Sequence, residues 1–223
     1  MSLPATDPRW PKVLSLSVHE FRTPMTVVAG YIRMLLKDRA GPLNDQQRRL
    51  LEEAEKSCAR LSALLAEVSE LSNLEAGTAP FNKGSVDLAA ILEDAVASLP
   101  PLPDRDVPVT LDVSGPASFD GDAARLTQGF SSVIGALRRE LIGDDPLVVR
   151  GRQANGGYEV LIGDPPTIEA LEREASDGRE VFDEWRGGVG LALAVARRIL
   201  NAHGATIAAA PEGRKSGARI SLR

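Results

Sequence analysis

The sequence predicts an α+β chain in two parts, a helical hairpin over residues 1–78 and an α/β sandwich over residues 79–223. Three observations carry this prediction. Two long runs place apolar side chains at alternating steps of four and three residues, the period of a helical seam. Between them "DRAGPLND" interrupts the pattern with Gly41 and Pro42. From Phe81 onward, amphipathic stretches alternate with short β-branched runs bounded by glycine and proline.

The first helix follows from Leu14, Val18, Phe21, Met25, Val28, Ile32 and Leu35. The second follows from Leu50, Ala54, Ser57, Leu61, Leu64, Val68 and Leu71, with Leu51, Cys58 and Leu65 widening its stripe. Asn44 or Asp45 suits its N-cap, and Gly77 its C-terminal stop. A short connection makes the pair an antiparallel hairpin. Each helix carries more apolar face than one neighbour covers. Two hairpins paired into a four-helix bundle would bury the surplus, so a homodimer is expected. The alternative is an intramolecular partner from the rest of the chain.

The second part reads as three helices and several strands. "VDLAAILEDAVASL" is an amphipathic helix, followed by the proline-rich "PPLPDRDVP" and the strand "VTLDV". "FDGDAARLTQGFSSVIGALRREL" is the next helix, with Asp120 or Asp122 as its cap. "PLVVRGR" and "YEVLIG" form a hairpin around Asn155-Gly156-Gly157. "GLALAVARRILNAHG" is the third helix, closed by Gly204, and "ATIAAAP" and "GARISLR" end the chain as strands. Helices on one face of a mixed sheet are expected.

Composition narrows the function. A formal charge of −5 argues against a general nucleic-acid binder. No apolar run reaches the roughly 18–20 residues that span a bilayer, so no membrane segment and no signal peptide are expected in this chain. Cys58 is the single cysteine and reads as a small residue on a buried helix face. Two histidines and one cysteine cannot supply a zinc cluster. Trp10 and Trp185 read as packing anchors, and His203 as a charge that suits a helix C-terminus.

The chemistry concentrates in "HEFRTP", residues 19–24. Pro24 interrupts a helical run, leaves the carbonyl of Glu20 without its donor, and costs roughly 3 kcal/mol locally. His19 lies beside that break and off the seam. A neutral imidazole is a competent nucleophile near neutral pH. Glu20 can take a proton or hold a tautomer. Thr23 falls over the same helical face, and Arg22 lies three residues on. A cation and a hydroxyl near a nucleophilic imidazole suit a phosphoryl group.

The string "SVHEFRTPM" closely resembles the phospho-acceptor box of the histidine kinases of two-component signalling, and the resemblance extends over about residues 12–223. It implies that His19 is the phosphorylated residue and Glu20 the acid/base beside it. It implies for Thr23 the positioning of water when such a protein dephosphorylates its partner. It implies further a dimeric four-helix bundle, a response-regulator receiver domain as partner, and an ATP-binding domain using Mg²⁺.

The nucleotide site departs from the family pattern. The asparagine box, N-x-x-x-N-A-x-K, is matched by "SSVIGALRRE". Ser132 replaces its first Asn, and Ala136 the Mg²⁺ ligand, whose place a methyl group cannot fill. Arg139 falls on the basic phosphate-contacting position. The first glycine box, D-x-G-x-G, becomes "DPPTI": Asp164 keeps the adenine-recognising place, while Pro166 and Ile168 replace glycines. "VFDEW" resembles the phenylalanine box at Phe182. The second glycine box, "GGVGLAL", keeps Gly188 and Gly190 before a helix, with Ala192 for a third glycine. Five residues separate Phe182 from Gly188, where the family carries a mobile lid.

The expected activity is therefore that of a phosphotransferase of the protein-histidine kinase class. His19 exchanges a phosphoryl group with a receiver aspartate, while ATP binding is weak or lost. The alternatives are an active ATP-dependent autokinase and a non-catalytic dimeric scaffold that docks a receiver. The expected location is cytoplasmic, alone or as part of a larger membrane-attached sensor. The opening "MSLP" reads as an added start, which leaves room for a sensor region upstream.

Overall fold

A computed structural model describes residues 10–115, 117–143, 145–154, 156–173, 182–183, 190–210 and 217–223. The chain separates into two compact units, one ending at Ala79 and the other starting at Pro80.

In the first unit, helix α1 (Trp10–Leu36) packs on helix α2 (Asp45–Glu75). The turn between them is held by ionic and capping contacts. Asp38 adopts a positive φ of 54°, and its carboxylate takes two hydrogen bonds of 2.9 Å from Arg48. The same guanidinium donates to the Leu36 carbonyl at 3.0 Å, which satisfies an orphan acceptor at the end of α1. Asn44 and Gln47 form a reciprocal capping box at 2.8 and 3.0 Å. At the open end, the Ser72 hydroxyl donates to the Pro11 carbonyl at 2.7 Å.

The stripes divide differently from the expected seam. Val18, Ile32, Cys58 and Ser72 are buried, and Leu51 and Leu65 from the flanking line are half-buried. Phe21, Val28, Leu50, Leu61 and Leu64 from the seam are exposed. Two helices share one narrow stripe, so the rest of a wide apolar face is left outward.

The second unit contains strand β1 (Gly84–Asp87), helix α3 (Leu88–Ala97), β2 (Val109–Val113), β3 (Ser118–Gly121), helix α4 (Ala123–Glu140), β4 (Leu147–Ala154) and β5 (Gly157–Gly163). Helix α5 (Pro165–Arg173), helix α6 (Ala192–Ala202), β6 (Thr206–Ala209) and β7 (Ala218–Leu222) complete it. The main sheet has the order β2-β4-β5-β7-β6, with β2 parallel to β4 and the other pairs antiparallel. Val149, Val160, Ile162 and Ile220 share a core with Leu92 of α3, Phe130 and Ile134 of α4, and Leu200 of α6.

Three features correct the sequence reading. β1 and β3 pair antiparallel as a small second sheet where helix starts were expected. The reason is capping: the Asp87 side chain accepts from Ala89 N, so α3 begins only at Leu88. Of the two caps the sequence offered for α4, Asp122 is the one used, accepting from Arg125 N at 3.1 Å. A fourth helix, α5, occupies the stretch read as a glycine-box loop. It lies on the other sheet face, because Leu161 alternates with the core-facing Val160 and Ile162 and packs instead with Ile168 and Leu171.

That outer face is tied by charges. Arg150 bridges Asp112 at 2.8 Å and Glu172 at 2.9 Å, and Arg152 joins Glu172 and Glu159. Buried Arg219 pairs with Glu159 and donates to the Leu171 carbonyl, which holds α5 down. The last correction is His203. It stands at the C-terminus of α6 as expected but is buried, and burial above all holds its imidazole below the ordinary value, against the expected charge.

Candidate functional site

His19 and Glu20 lie on the open surface of α1, with side chains about three-quarters exposed (75% and 73%). Their Nδ1 and Oε1 atoms are 3.7 Å apart, an ion-pair distance longer than a hydrogen bond. Both chains are free to rotate, so Glu20 can take up an Nδ1–H and leave the Nε2 lone pair outward. Thr23, four residues on, is exposed over the same face.

The backbone here is unusual. The helix runs unbroken through Pro24, whose missing N–H leaves the Glu20 carbonyl without its helical donor. Ser17 and Thr26 flank the region, and their hydroxyls bond back to the carbonyls of Val13 and Arg22 at 2.9 and 2.8 Å. Such back-bonds compete with the helix ladder. The histidine therefore stands within two turns of a proline inside a long helix.

The residues matched to a nucleotide site are placed on separate elements. Arg139 lies exposed in the last turn of α4, and its carbonyl accepts from Arg105. Ala136 is 1% exposed, inside the core that α4 shares with the sheet. Its methyl group offers a hard cation no oxygen. Asp164 uses Oδ1 to accept from Thr167 N at 2.9 Å, so it acts as the cap of α5. Pro165 and Pro166 stand in the first turn of α5, where a missing N–H costs nothing. Thr167 and Ile168 are buried. Gly163 and Gly217 make room for the Thr167 methyl: a Cβ on either would come within 2.7 and 2.4 Å of it. Gly190 keeps a positive φ of 65° just before α6. Gly188 and Trp185 lie outside the described residues. Ala136 thus supplies no metal ligand, and Pro166 and Ile168 do not form the glycine turn that the first glycine box requires.

A family model described as the His Kinase A (phospho-acceptor) domain matches residues 12–77, the span that holds "HEFRTP". The signal transduction histidine-protein kinase BarA of Escherichia coli (strain K12) is 29% identical over 203 residues, covering 85% of this chain and 22% of that protein. The phosphate regulon sensor protein PhoR of Pseudomonas aeruginosa is 27% identical, covering 85% of this chain and 44% of its own length. Residues 12–77 therefore match the phospho-acceptor domain of histidine kinases, and the chain as a whole is similar to sensor histidine kinases.

The chain spans less than half the length of these kinases. The solved structure of full-length ShkA in complex with AMPPNP superposes with a TM-score of 0.69 at 23% identity, covering 95% of this chain and 45% of that one. The likeness extends the kinase fold through both units. No helix among the described residues is long and apolar enough to cross a membrane.

Sequence reasoning missed a polar cluster at the start of the second unit, where Asn82, Asp122 and His203 meet. "DGD" at 120–122 and "HG" at 203–204 were the available signals, but they lie 81 residues apart.

Proposed function

We propose that this chain works in two-component signalling by carrying a phosphoryl group on His19 and exchanging it with an aspartate of a response-regulator receiver domain. The observation that carries the reading is the pairing of an exposed imidazole with Glu20 on the irregular turn around Pro24. In the transfer, the Nε2 lone pair attacks phosphorus, the P–N bond forms, and the bond from phosphorus to the aspartyl oxygen breaks. The aspartate leaves as a carboxylate, and Glu20 holds the Nδ1 proton. The reverse step returns the phosphoryl group. Thr23 orients water when the receiver is dephosphorylated instead.

The chain acts as a homodimer, because Phe21, Val28, Leu61 and Leu64 stay exposed in a single hairpin. The phosphoryl group comes from a phosphorylated receiver and not from ATP. ShkA was solved with AMPPNP, yet here Ala136 is core, Asp164 is a helix cap and Ile168 is buried. Gly190, with its positive φ, keeps the backbone of a phosphate-cradling turn and favours the second reading, an unusual but active autokinase. We place the chain on the cytoplasmic side, where receiver domains reside.

The test is transfer without nucleotide. Receiver domains from the same genome, phosphorylated with acetyl phosphate and freed of it, should label the chain with an acid-labile, base-stable bond. Failure of every receiver to label it would overturn the proposal. Labelling by ATP alone would favour the autokinase.

A further inference from the structure

The second unit begins with a segment pinned by three contacts. Phe81 stacks edge-on against the His203 ring, with centroids 5.3 Å apart at 80°. The backbone N–H of Asn82 donates to Asp122 Oδ2 at 2.6 Å. Lys83 Nζ donates to the Ala202 carbonyl at 2.9 Å. All three meet where the start of α4 touches the end of α6, and His203 sits at that junction.

The imidazole has both nitrogens committed. Nε2 accepts from the backbone N–H of Asp122 at 3.0 Å, so it carries no proton. Nδ1 lies 2.8 Å from the Ile199 carbonyl and must be the donor. Gly121 permits this approach, because a Cβ there would come within 3.1 Å of the ring and 2.7 Å of Leu126. Protonation would place an Nε2–H against the Asp122 N–H, donor against donor, and no rotation of a buried ring relieves it.

We propose that residues 81–83 are a proton-released strap, latched to the sheet unit while His203 is neutral and freed when His203 is protonated. Freed, the connector after Ala79 gains three residues, or about 10 Å of reach. The charges around the ring oppose one another. Lys83 repels an imidazolium, while Asp122 and Asp120 attract it; burial, the largest influence, sides with Lys83. Arg125 lies over the Phe81 ring, 5.7 Å from its centroid.

The sign follows from linkage. The buried imidazole binds its proton more weakly than the freed one, so falling pH favours release. The freed population therefore rises as pH falls through the range in which a free imidazole titrates, about 6.5.

NMR titration of the full chain tests this, with His203 read through its imidazole nitrogens and the strap through the amides of Asn82 and Asp122. At neutral pH His203 should be the Nδ1–H tautomer, and on acidification the strap amides should shift with the imidazole. His19 is the only other histidine and is removed from the spectrum in His19→Gln. Asp122→Ser keeps an oxygen to cap α4 but cannot reach Asn82, so its strap should be free already at neutral pH. The Nε2–H tautomer at neutral pH, strap amides that ignore the imidazole, or an unchanged strap in Asp122→Ser would each overturn the proposal.

Discussion

Phe21, Val28, Tyr31, Leu50 and Leu61 remain on the surface of the helical hairpin, whereas among the described residues of the sheet unit the single large apolar side chain so exposed is Ile142. The hairpin therefore ends with an unfilled apolar face, and the sheet unit ends with a closed core. The two regions also keep their chemistry differently. His19, Glu20 and Thr23 lie within five consecutive residues of one helix and need no other element to meet. The nucleotide-matching residues come from α4, the α5 cap and the turn before α6. A scattered site depends on several elements at once; here Ala136 packs in the main core and Ile168 in the smaller cluster on the other sheet face.

The largest expected effect tests the hairpin side of this contrast. His19→Gln should reduce labelling by a phosphorylated receiver to background, because an amide nitrogen has no lone pair available for attack. The helix should be unaffected, since the position is exposed. Acid-labile label persisting in His19→Gln would move the chemistry elsewhere in the chain.

Leu61→Glu asks whether the open face is an interface. Leu61 is 49% exposed in a single hairpin, so in a monomer the change should alter stability little. In a dimer seam it buries a charge without a partner, at a cost of several kcal/mol, and should weaken dimerisation by about a thousandfold. Sedimentation velocity distinguishes the two. A parent chain that is monomeric at micromolar concentration would end the dimer proposal.

The sheet unit supplies the complementary test. Calorimetry should find no micromolar binding of Mg-ATP. Ala136→Asn, which restores the missing ligand type, should not rescue binding. It should instead destabilise the unit by about 2–4 kcal/mol, because a larger amide enters the buried apolar core. Tight Mg-ATP binding by the parent would show that the core positions and the site are still compatible.

The same contrast explains what the sequence made legible. A heptad stripe announces a long helix because every turn repeats the signal, and both hairpin helices were readable from it. The stripe does not say which of its edges faces the neighbouring helix, and the exposed Leu50 and Leu61 show the difference. Strands β1 and β3, of four residues each, offer too few alternations to stand out. Their boundaries are set by Asp87 and Asp122 capping the helices that follow. Helix α5 was hidden because "DPPTI" was matched to a glycine box, although prolines in a first turn are compatible with a helix. His203 was misread because its burial depends on Phe81 and Asp122, which are distant in the chain.

The smallest expected effect belongs to Pro24, and it separates the two roles that one residue can have in the hairpin. Pro24→Ala restores a donor to the Glu20 carbonyl, so the helix should gain up to about 3 kcal/mol and its melting temperature should rise. If the irregular turn merely tolerates the proline, transfer from a phosphorylated receiver should proceed at the parent rate. If the loosened ladder lets His19 swing into line with the incoming phosphorus, the stiffer helix should slow transfer by about two- to fivefold, a barrier change of about 0.5–1 kcal/mol. We expect the slower rate together with the higher melting temperature. The two measurements must be made on the same preparation, because stability and rate moving in opposite directions cannot come from a damaged fold. The proline then holds the acceptor turn loose.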